Sequence, residues 1–525
     1  MREMNPSVEQ SRKSAHSLVR NVISNWGSYF CNVLVGFFIA PFIVGHLGMS
    51  GYGVWSLVVS LTGYLGLLDL GVRGAVTRYV ARFHTRQEYD NLTRTVSAAL
   101  LIFLLAGTLA IVASAGLLTP LISHFKIPHE YERAAKTVLL LAGLNVAVSL
   151  VSGVFGGVVI GIQRFDISNA IESLNTVLRT GAIVLALKGG GGIVALAWIQ
   201  LLFTLAAGIA NAWTAWKYCP ELKLRLNGVR LEHLKLIFSF SAFAFLLQTS
   251  SYVIYYTDSV VIAAFLPIGA VTLFAIAGNL LNYGRGLIAG ISSTITPFAS
   301  SLEAKTGNAE LRPFLLKATR YASALMLPIA ITFLIRGKSF IGLWMGAEYA
   351  SVSGKVLSIL TMAWLLMAGN RMAGAVMLGI NKHRAMVPVS IAEALCNLGL
   401  SLLLVRKMGV IGVAWGTTVP DAAVHILFWP WYVNRVLGIP PWNYVYSTWV
   451  RPATSVLPFA LATYATERFW PAVNLRLFFF QVLGLLPLAV MGAWVVVLDP
   501  EERSKILRQY GRSDLRATQS KRVQL

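Results

Sequence analysis

The sequence is poor in charged residues, and poorest in acidic ones. Charged residues fill 13% of its 525 positions, and 22 Asp and Glu stand against 44 Lys and Arg, which gives a formal net charge of +22. Soluble globular domains carry about 25% charged residues. This composition excludes an aqueous fold of this size, and the 56% of hydrophobic residues indicates a membrane protein.

Cysteines and enzyme motifs are also scarce. The three cysteines have no metal-binding or redox spacing, and we interpret them as packing residues. Gly337–Ser339 resembles the end of a phosphate-binding loop, but Thr332 stands where the first glycine of that motif must be. The sequence has no HExxH or GxSxG motif, and no predicted segment outside the membrane is long enough for an enzymatic domain. We therefore predict no enzyme, no cofactor and no metal site.

Long apolar runs are abundant. A helix needs about 20 apolar residues to cross the hydrocarbon core of a bilayer. Transmembrane β-strands alternate apolar and polar residues over about ten positions, whereas Leu100–Leu118 is apolar on every face. We therefore predict an all-α polytopic membrane protein with about fourteen transmembrane helices. The predicted spans are 19–45, 49–70, 96–120, 134–160, 168–188, 190–216, 234–263, 267–300, 314–335, 355–380, 385–405, 409–433, 448–470 and 473–498.

The basic residues predict the orientation of the chain. An even number of spans puts both termini on one side. Placing them in the cytoplasm puts most Lys and Arg in inner loops and tails, as membrane insertion favours. Outer positions include Lys126, Lys188, Arg336 and Arg406. The net charge then reflects topology and contact with anionic membrane lipid, and its dispersal over many short loops argues against a nucleic-acid partner.

The chain contains an internal repeat. Gly45–Leu61 aligns with Ala264–Leu280, and Tyr89–Ala110 aligns with Asn308–Ile329. Spans 1–6 and 7–12 are therefore two parallel copies, an arrangement that favours two pseudo-symmetric lobes rocking about a central cavity. The predicted parts are a cytoplasmic tail over 1–18, an N-lobe over 19–217, a cytoplasmic linker over 218–233, a C-lobe over 234–436, two further spans within 437–498 and a basic cytoplasmic tail over 499–525.

Two spans related by the repeat carry polar stripes. The stripe residues recur at intervals of three and four, which places each set on one helical face. Such groups can form hydrogen bonds between helices, worth about 0.6 kcal/mol each, or they can line a cavity. Because the stripes occur on matching helices, we favour a shared polar cavity that binds substrate. The stripe residues are Asn21, Asn25, Ser28 and Asn32 on span 1, and Gln248, Ser251, Tyr255 and Asp258 on span 7.

Three arginines, Arg179, Arg285 and Arg371, lie deep in predicted spans. Each costs about 2.5–3.5 kcal/mol to insert and needs a partner or water. We predict a structural ion pair between Arg371 and Glu393, which lie at similar depths on consecutive spans. Arg179 has Glu172 two turns away on its own helix.

Arg285 suits an anionic ligand. Span 7 offers uncharged polar side chains at its depth, and Asn282 lies three residues away on its own helix. A guanidinium in such a cavity can hold a phosphate through two parallel hydrogen bonds. Arg20 would add positive charge at the cytoplasmic mouth. We therefore predict that Arg285, Arg20 and Asn282 contact an anionic substrate.

Three acids within predicted spans are candidates for ion coupling. Asp69, Asp258 and Glu393 can each bind a proton or Na⁺, and each can instead form a structural pair. With no nucleotide-binding motif, transport would be driven by ion gradients, substrate gradients or downstream consumption.

Four segments carry a resemblance to a known family. They are Pro41–Arg82, with an LG…YG…DLG pattern, Thr257–Lys305, Phe340–Tyr349 and Gly379–His383. In their order and spacing they resemble the Wzx-type polysaccharide flippases of the multidrug/oligosaccharidyl-lipid/polysaccharide (MOP) exporter superfamily. The resemblance implies a fold like those of MATE transporters and lipid II flippases.

The resemblance also implies a function. Such a flippase moves polyprenyl-pyrophosphate-linked oligosaccharides from the cytoplasmic to the outer leaflet of the bacterial inner membrane by alternating access. The product would serve O-antigen, exopolysaccharide or capsule synthesis, with polysaccharide polymerase and chain-length proteins as partners. Related lipid II flippases have arginines on spans 1, 2 and 8; Arg20 and Arg285 match two of these, and Arg73 lies at the end of span 2. Spans 13 and 14 resemble the extra pair that forms a lipid-tail groove in lipid II flippases.

Two other functions stay open. An ion-coupled multidrug or cation antiporter of the same superfamily would favour an acidic cavity, and Asp258 supports that alternative. A membrane-embedded polymerase or ligase of glycans would need a large outer loop with catalytic residues, and the sequence predicts no such loop.

Overall fold

The structure is a computed structural model of the chain. It describes residues 6–224 and 242–505, together with Glu232, Ile237 and Leu507, with side chains over 24–224 and 245–505. Within these residues all regular structure is helical, and no β-strand occurs. The prediction of an all-α polytopic membrane protein is confirmed.

The helices are numbered in chain order. They are α1 (Pro6–Gly63), α2 (Val72–Thr85), α3 (Tyr89–Ala113), α4 (His129–Gly161), α5 (Phe165–Lys188), α6 (Ile193–Tyr218), α7 (Ala242–Phe265), α8 (Gly269–Thr306), α9 (Asn308–Trp344), α10 (Ala347–Gly379), α11 (Met386–Met408), α12 (Val410–Ala423), α13 (Trp429–Leu437), α14 (Pro441–Val445), α15 (Arg451–Phe469) and α16 (Leu475–Gly492). Segments of π-helix lie at Ser114–Leu118, Val424–Phe428, Tyr446–Val450 and Ala493–Val497.

Helix α1 covers the first predicted span and the second as far as Gly63. Its backbone departs from helical geometry at Gly48, where φ is 67° and ψ is 176°. This region of backbone space is essentially restricted to glycine. Two helical segments therefore meet at a kink at Gly48, where the sequence predicts a boundary between residues 45 and 49.

Ten stretches of described helix are long and apolar enough to cross a membrane. The first of them, Ser24–Asp69, includes the kink at Gly48. Helices α7, α8 and α15 occupy the positions of predicted spans 7, 8 and 13 without meeting the same criterion. Helical segments match the fourteen predicted spans in position, and fourteen is an approximate number of crossings.

The segment between predicted spans 2 and 3 is also helical. Helix α2 buries an apolar face that includes Val72, Val76 and Tyr79. Arg73 and Arg78 lie on its exposed face. The sequence analysis treated this basic stretch as a loop, although its apolar residues recur at helical intervals.

The described residues divide into two compact units. The first comprises those within Met1–Asn279 and Arg384–Thr417. Its core joins α2, α3 and α4 through fully buried side chains such as Val76, Phe103 and Val154. This division by contacts differs from the lobes predicted over 19–217 and 234–436, and those lobe boundaries stay a prediction.

The second unit comprises Leu280–His383 and the described residues of Thr418–Leu525. Trp364 of α10 is buried against Gly284 of α8, where an added Cβ would lie 2.2 Å from the indole ring. The missing side chain lets α8 and α10 approach each other closely, and the next residue along α8 is Arg285. Leu327, Phe459 and Ala489 form a smaller core of α9, α15 and α16.

Candidate functional site

The span 1 stripe faces helix α5. Asn169 donates a hydrogen bond to the Oδ1 of Asn25, and Thr176 donates one of 2.7 Å to the Oδ1 of Asn32. Ser28 is buried, and its carbonyl accepts a hydrogen bond from Asn32. The two contacts with α5 are the interhelical hydrogen bonds that formed the alternative interpretation of the stripe. The side chains of Arg20 and Asn21 lie outside the described residues, and substrate binding by the stripe stays a prediction.

The span 7 stripe has two different environments. Gln248 and Tyr255 on α7 are exposed, and the hydroxyl of Ser251 donates to the carbonyl of Leu247. Asp258, one turn beyond Tyr255, is only 3% exposed. The stripe therefore changes from an accessible polar face to a buried carboxylate along one helix.

Asp258 accepts a hydrogen bond from α12, and α11 is linked to it through the same hydroxyl. The hydroxyl of Thr417 donates a hydrogen bond of 2.7 Å to its Oδ2. Asn397 in turn donates one of 2.9 Å to the Thr417 oxygen. The sequence analysis missed Asn397 and Thr417, although each is a polar residue inside a predicted apolar span. A buried carboxylate of this kind can bind a proton or a hard cation such as Na⁺.

The other candidate acids are Asp69 and Glu393. Asp69 forms an ion pair with Arg73 one turn later, with 3.3 Å between Oδ2 and Nε. Glu393 is half-buried on α11, and Arg371 is exposed on α10. The predicted ion pair of Arg371 with Glu393 stays a prediction.

Arg179 has a polar partner within the first unit. It donates a hydrogen bond of 3.0 Å to the Oε1 of Gln200 on α6. The negative charge of Glu172, on its own helix, also acts on it. The neutral amide of Gln200 and the carboxylate of Glu172 therefore both stabilise this intramembrane cation.

Arg285 lies in the second unit near an acid that the sequence analysis overlooked. Its Nη1 donates a hydrogen bond of 3.2 Å to Asn282, as the spacing on α8 predicts. The carboxylate of Asp421 on α12 interacts electrostatically with both Arg285 and Arg371. Asp421 lies inside the predicted span 409–433, so a full count of intramembrane acids could have found it.

Asp421 is joined to a buried polar network. The Nε2 of His425 lies 2.9 Å from its Oδ1, one turn later in the chain. Asn370 of α10 lies 3.1 Å from the Nδ1 of that ring and donates to the main-chain carbonyl of His425. The hydroxyl of Tyr444 donates a hydrogen bond of 2.6 Å to the Oδ1 of Asn370. Three helices thus place a tyrosine, an amide, an imidazole and a carboxylate in sequence.

A second buried charge attaches the last two helices. Arg336 is fully buried in α9, whereas the sequence analysis placed it in an outer loop. It lies 2.8 Å from Glu467 of α15 and donates a hydrogen bond of 2.6 Å to Gln481 of α16. Its guanidinium also lies 4.5 Å from the ring centroid of Phe478, a cation–π contact.

A cluster of ion pairs lies where α16 ends. Asp499 accepts a hydrogen bond of 3.0 Å from Arg320 and one of 2.8 Å from Arg451. The hydrogen bond from Arg320 lowers the pKa of Asp499, and the bond from Arg451 adds to that effect. Lys317 lies 2.7 Å from Glu502 in the same cluster.

The fold and its intramembrane charges define a multi-pass helical membrane protein. A family described as "Polysaccharide biosynthesis protein" matches residues 18–303. The chain belongs to this family of polysaccharide biosynthesis proteins. The predicted membership of the MOP superfamily and the prediction of a non-enzymatic transporter are confirmed.

Similar proteins agree with this assignment. A Shigella flexneri protein named "Putative O-antigen transporter" is 20% identical over 81% of this chain and 99% of its own length. A Haloferax volcanii protein named "Probable flippase AglR" is 21% identical over 85% of this chain and 90% of its own length.

Solved structures share the fold. One described as the lipid II flippase MurJ, in an inward closed conformation, has a TM-score of 0.69 and 14% identity, covering 91% of this chain and 98% of its own. An inward-facing MATE family multidrug transporter has a TM-score of 0.66 and 18% identity, covering 79% of this chain and 98% of its own.

Proposed function

We propose that the protein is a flippase for polyprenyl-pyrophosphate-linked oligosaccharides. It moves the repeat units from the cytoplasmic to the outer leaflet of the bacterial inner membrane by alternating access, with both termini in the cytoplasm. The relatives named as an O-antigen transporter and as a flippase support this class of substrate. Polysaccharide polymerase and chain-length proteins are the proposed partners.

The observation that carries the proposal is the electrostatic interaction of two intramembrane arginines with Asp421. Arg285 and Arg371 both act on this one carboxylate. Each intramembrane arginine costs about 2.5–3.5 kcal/mol on insertion scales. Two guanidinium groups that interact electrostatically with one carboxylate suit a pyrophosphate, which can accept hydrogen bonds from both. Arg285 is half-buried, and its hydrogen bond to Asn282 orients its guanidinium group.

Transport measurements on an Arg285 variant test the proposal. The full chain would be placed in proteoliposomes together with a fluorescent pyrophosphate-linked oligosaccharide. Translocation would be followed by the fraction of the fluorescent oligosaccharide that is accessible from outside the vesicles. We expect Arg285→Ala to slow translocation about 10- to 100-fold, since a hydrogen bond to a charged group contributes about 1.5–3 kcal/mol. Arg285→Lys should retain part of the activity, because it keeps the charge but loses the bidentate geometry.

Arg468→Ala is the matched control. Arg468 is an exposed arginine at the end of α15 in the same unit, so its removal changes the net charge equally. Unchanged transport in Arg285→Ala, with both variants correctly folded, would refute the arginine as a substrate contact. Wild-type protein that moves no pyrophosphate-linked glycan would refute the flippase assignment itself.

We also propose that Asp258 binds the coupling ion, either H⁺ or Na⁺. Its burial and its contact with the Thr417 hydroxyl support this role. Asp258→Asn should lower transport driven by an imposed H⁺ or Na⁺ gradient by about tenfold or more, in the range of typical coupling energies. Asp69→Asn is the control, because Asp69 already pairs with Arg73. If transport by wild type and transport by Asp258→Asn depend equally on the imposed gradients, Asp258 is excluded as the coupling site.

An ion-coupled drug or cation antiporter is the second candidate. The burial of Asp258, whose Oδ2 accepts a hydrogen bond from the Thr417 hydroxyl, is the observation that favours it. Gradient-driven efflux of a cationic dye from proteoliposomes, lost in Asp258→Asn, together with no glycan translocation, would select this function over the flippase.

A further inference from the structure

Asp421 and His425 form an acid–histidine pair that lies outside the predicted coupling acids. Their side chains are 18% and 10% exposed, and 2.9 Å separates Oδ1 from Nε2. A histidine has an ordinary pKa near 6.5, so it changes charge within the physiological range. The pair therefore places a group that can exchange a proton inside the second unit.

The hydrogen bonds around Asn370 assign the form of the His425 ring. The main-chain carbonyl of His425 can only accept a hydrogen bond, so the amide group that faces it must be the Asn370 nitrogen. That nitrogen also lies 3.1 Å from Nδ1, and Tyr444 donates to the opposite oxygen of the amide. Nδ1 is then an acceptor without a proton, and the proton of the neutral ring is on Nε2, the nitrogen that lies 2.9 Å from Asp421.

Protonation of the pair changes the net charge of the pair and the groups around it. The recorded titratable groups that face it are Arg285 from α8, Arg371 from α10 and, through Asn370, Tyr444 from α14. With neutral His425, the two guanidinium groups and the Asp421 carboxylate leave one net positive charge. One bound proton raises this to two.

Two irregular helical turns flank the network. His425 lies in the π-helical segment Val424–Phe428, and Tyr444 lies just before the π-helical segment Tyr446–Val450. Short π-helical segments within helices are rare and occur frequently at functional sites. The local geometry therefore agrees with a functional role for the network.

We propose that Asp421 and His425 form a proton-binding site that controls how strongly Arg285 and Arg371 bind an anionic substrate. In the deprotonated pair, the Asp421 carboxylate competes with the substrate for the arginines. A proton on the pair removes that competition, so a pyrophosphate binds more tightly. Binding of the anion favours uptake of the proton by the same factor, because linkage is reciprocal. The proton site stands on its own geometry, whereas its effect on substrate rests on the proposed flippase function.

Titration of His425 in the full-length protein tests the proton site without any substrate. The chain has eight histidines, so His425→Gln would identify the ring signal in NMR spectra of ¹³C-histidine-labelled protein in detergent. We expect the titration midpoint to move to lower pH in Asp421→Asn, which removes a neighbouring negative charge. It should move to higher pH in Arg371→Ala, which removes a positive one, and each shift should be about one pH unit, or tenfold in proton affinity.

The opposite directions of these shifts separate electrostatic linkage from a loss of structure. Arg468→Ala should leave the midpoint unchanged. A His425 signal that does not titrate between pH 5 and 8, or that moves in the same direction in both variants, would overturn the proton site.

Binding of farnesyl pyrophosphate tests the link to substrate. Between pH 6 and pH 8 we expect the affinity of wild type for farnesyl pyrophosphate to fall. The fall should be about ten times larger than the fall for Asp421→Asn, which has no carboxylate to compete. Comparing the two proteins removes the contribution of the ligand's own titration. Identical pH profiles would overturn the link. Normal shifts of the His425 midpoint without any binding of farnesyl pyrophosphate would instead count against the proposed function and leave the proton site supported.

Discussion

At the scale of single residues, Arg336 shows how contacts with neighbouring helices stabilise a buried charge. Its side chain is fully buried, and Glu467, Gln481 and Phe478 all contact its guanidinium. Ser339, one turn away, also donates a hydrogen bond to Glu467. An ion pair satisfied in this way can be nearly neutral for stability, whereas removal of one partner leaves the other charge buried and uncompensated.

We expect Arg336→Met to destabilise the protein strongly. The expected loss is about 3 kcal/mol, the lower end of the usual 3–5 kcal/mol, because Glu467 keeps 21% exposure. The thermal unfolding midpoint in detergent would measure it. The double variant Arg336→Met with Glu467→Leu should recover most of the loss, since no unpaired charge remains. Additive losses in the double variant would contradict the pairing.

The residues missed by sequence analysis were missed for a physical reason. Depth along a span can be counted from the rise per residue, and this count found Arg285 and Asn282. Which spans are neighbours cannot be counted in the same way. Span 7 was taken as the neighbour of Arg285, whereas Asp421 comes from α12. The partners of Asp258 were missed similarly, because Thr417 and Asn397 belong to α12 and α11.

At the scale of elements, α1 depends on one glycine. Gly48 has a positive φ that other residues rarely adopt, and an added Cβ there would meet nothing within 4 Å. The requirement for glycine therefore lies in the backbone and not in crowding. Gly45, three residues earlier in α1, also has open space but has no positive φ.

This difference predicts opposite effects for two similar substitutions. Gly48→Ala should destabilise the protein by about 1–3 kcal/mol through backbone strain. Gly45→Ala should be neutral or stabilising, because alanine is favoured over glycine in a helix. Unfolding midpoints of the two variants in detergent would provide the comparison. A Gly48→Ala protein as stable as Gly45→Ala would show that the kink does not need glycine.

Helix α2 shows the limit of composition as a guide to elements. Its arginines made the segment resemble a basic loop, and its length is too short for a span. Its apolar residues nevertheless recur on one face, from Val72 to Phe83. Helical periodicity predicts such an element better than mean hydropathy does, because the mean averages the apolar and the polar face of an amphipathic helix.

At the scale of the whole molecule, sequence patterns were sufficient for the fold class, the positions of the spans and the family. These properties depend on long apolar runs and on ordered motifs, which the chain displays directly. The polar networks depend on which helices meet, and that information is distributed over the whole sequence. The lobe boundaries drawn from the repeat stay a prediction.

The cluster at Asp499 links the end of the chain's last span to α9 and α15. Arg320 and Arg451 come from those helices, and both donate hydrogen bonds to Asp499. The Asp499 side chain is 37% exposed, so its contribution to stability is modest. The cluster nevertheless fixes where the polypeptide leaves α16.

Acid should weaken this cluster in a predictable direction. The hydrogen bond from Arg320 lowers the pKa of Asp499 below its ordinary value of 3.8. A lowered pKa contributes stability that is fully present above pH 3.8 and is lost as the pH falls through the folded-state pKa. We therefore expect the unfolding midpoint of wild type to fall more between pH 7 and pH 3 than that of Asp499→Asn. Parallel pH dependence of the two proteins would contradict this assignment.

The separation of Arg336 and Glu467 along the chain has a consequence for synthesis. They are 131 residues apart in sequence. At a translation rate of about 5–20 residues per second, Glu467 leaves the ribosome roughly 7–26 s after Arg336. During that delay a guanidinium destined for complete burial has no carboxylate to meet. Helix α9 therefore reaches its final position late, when α15 and α16 have been synthesised. In a chain truncated after α13, α9 would never reach that position.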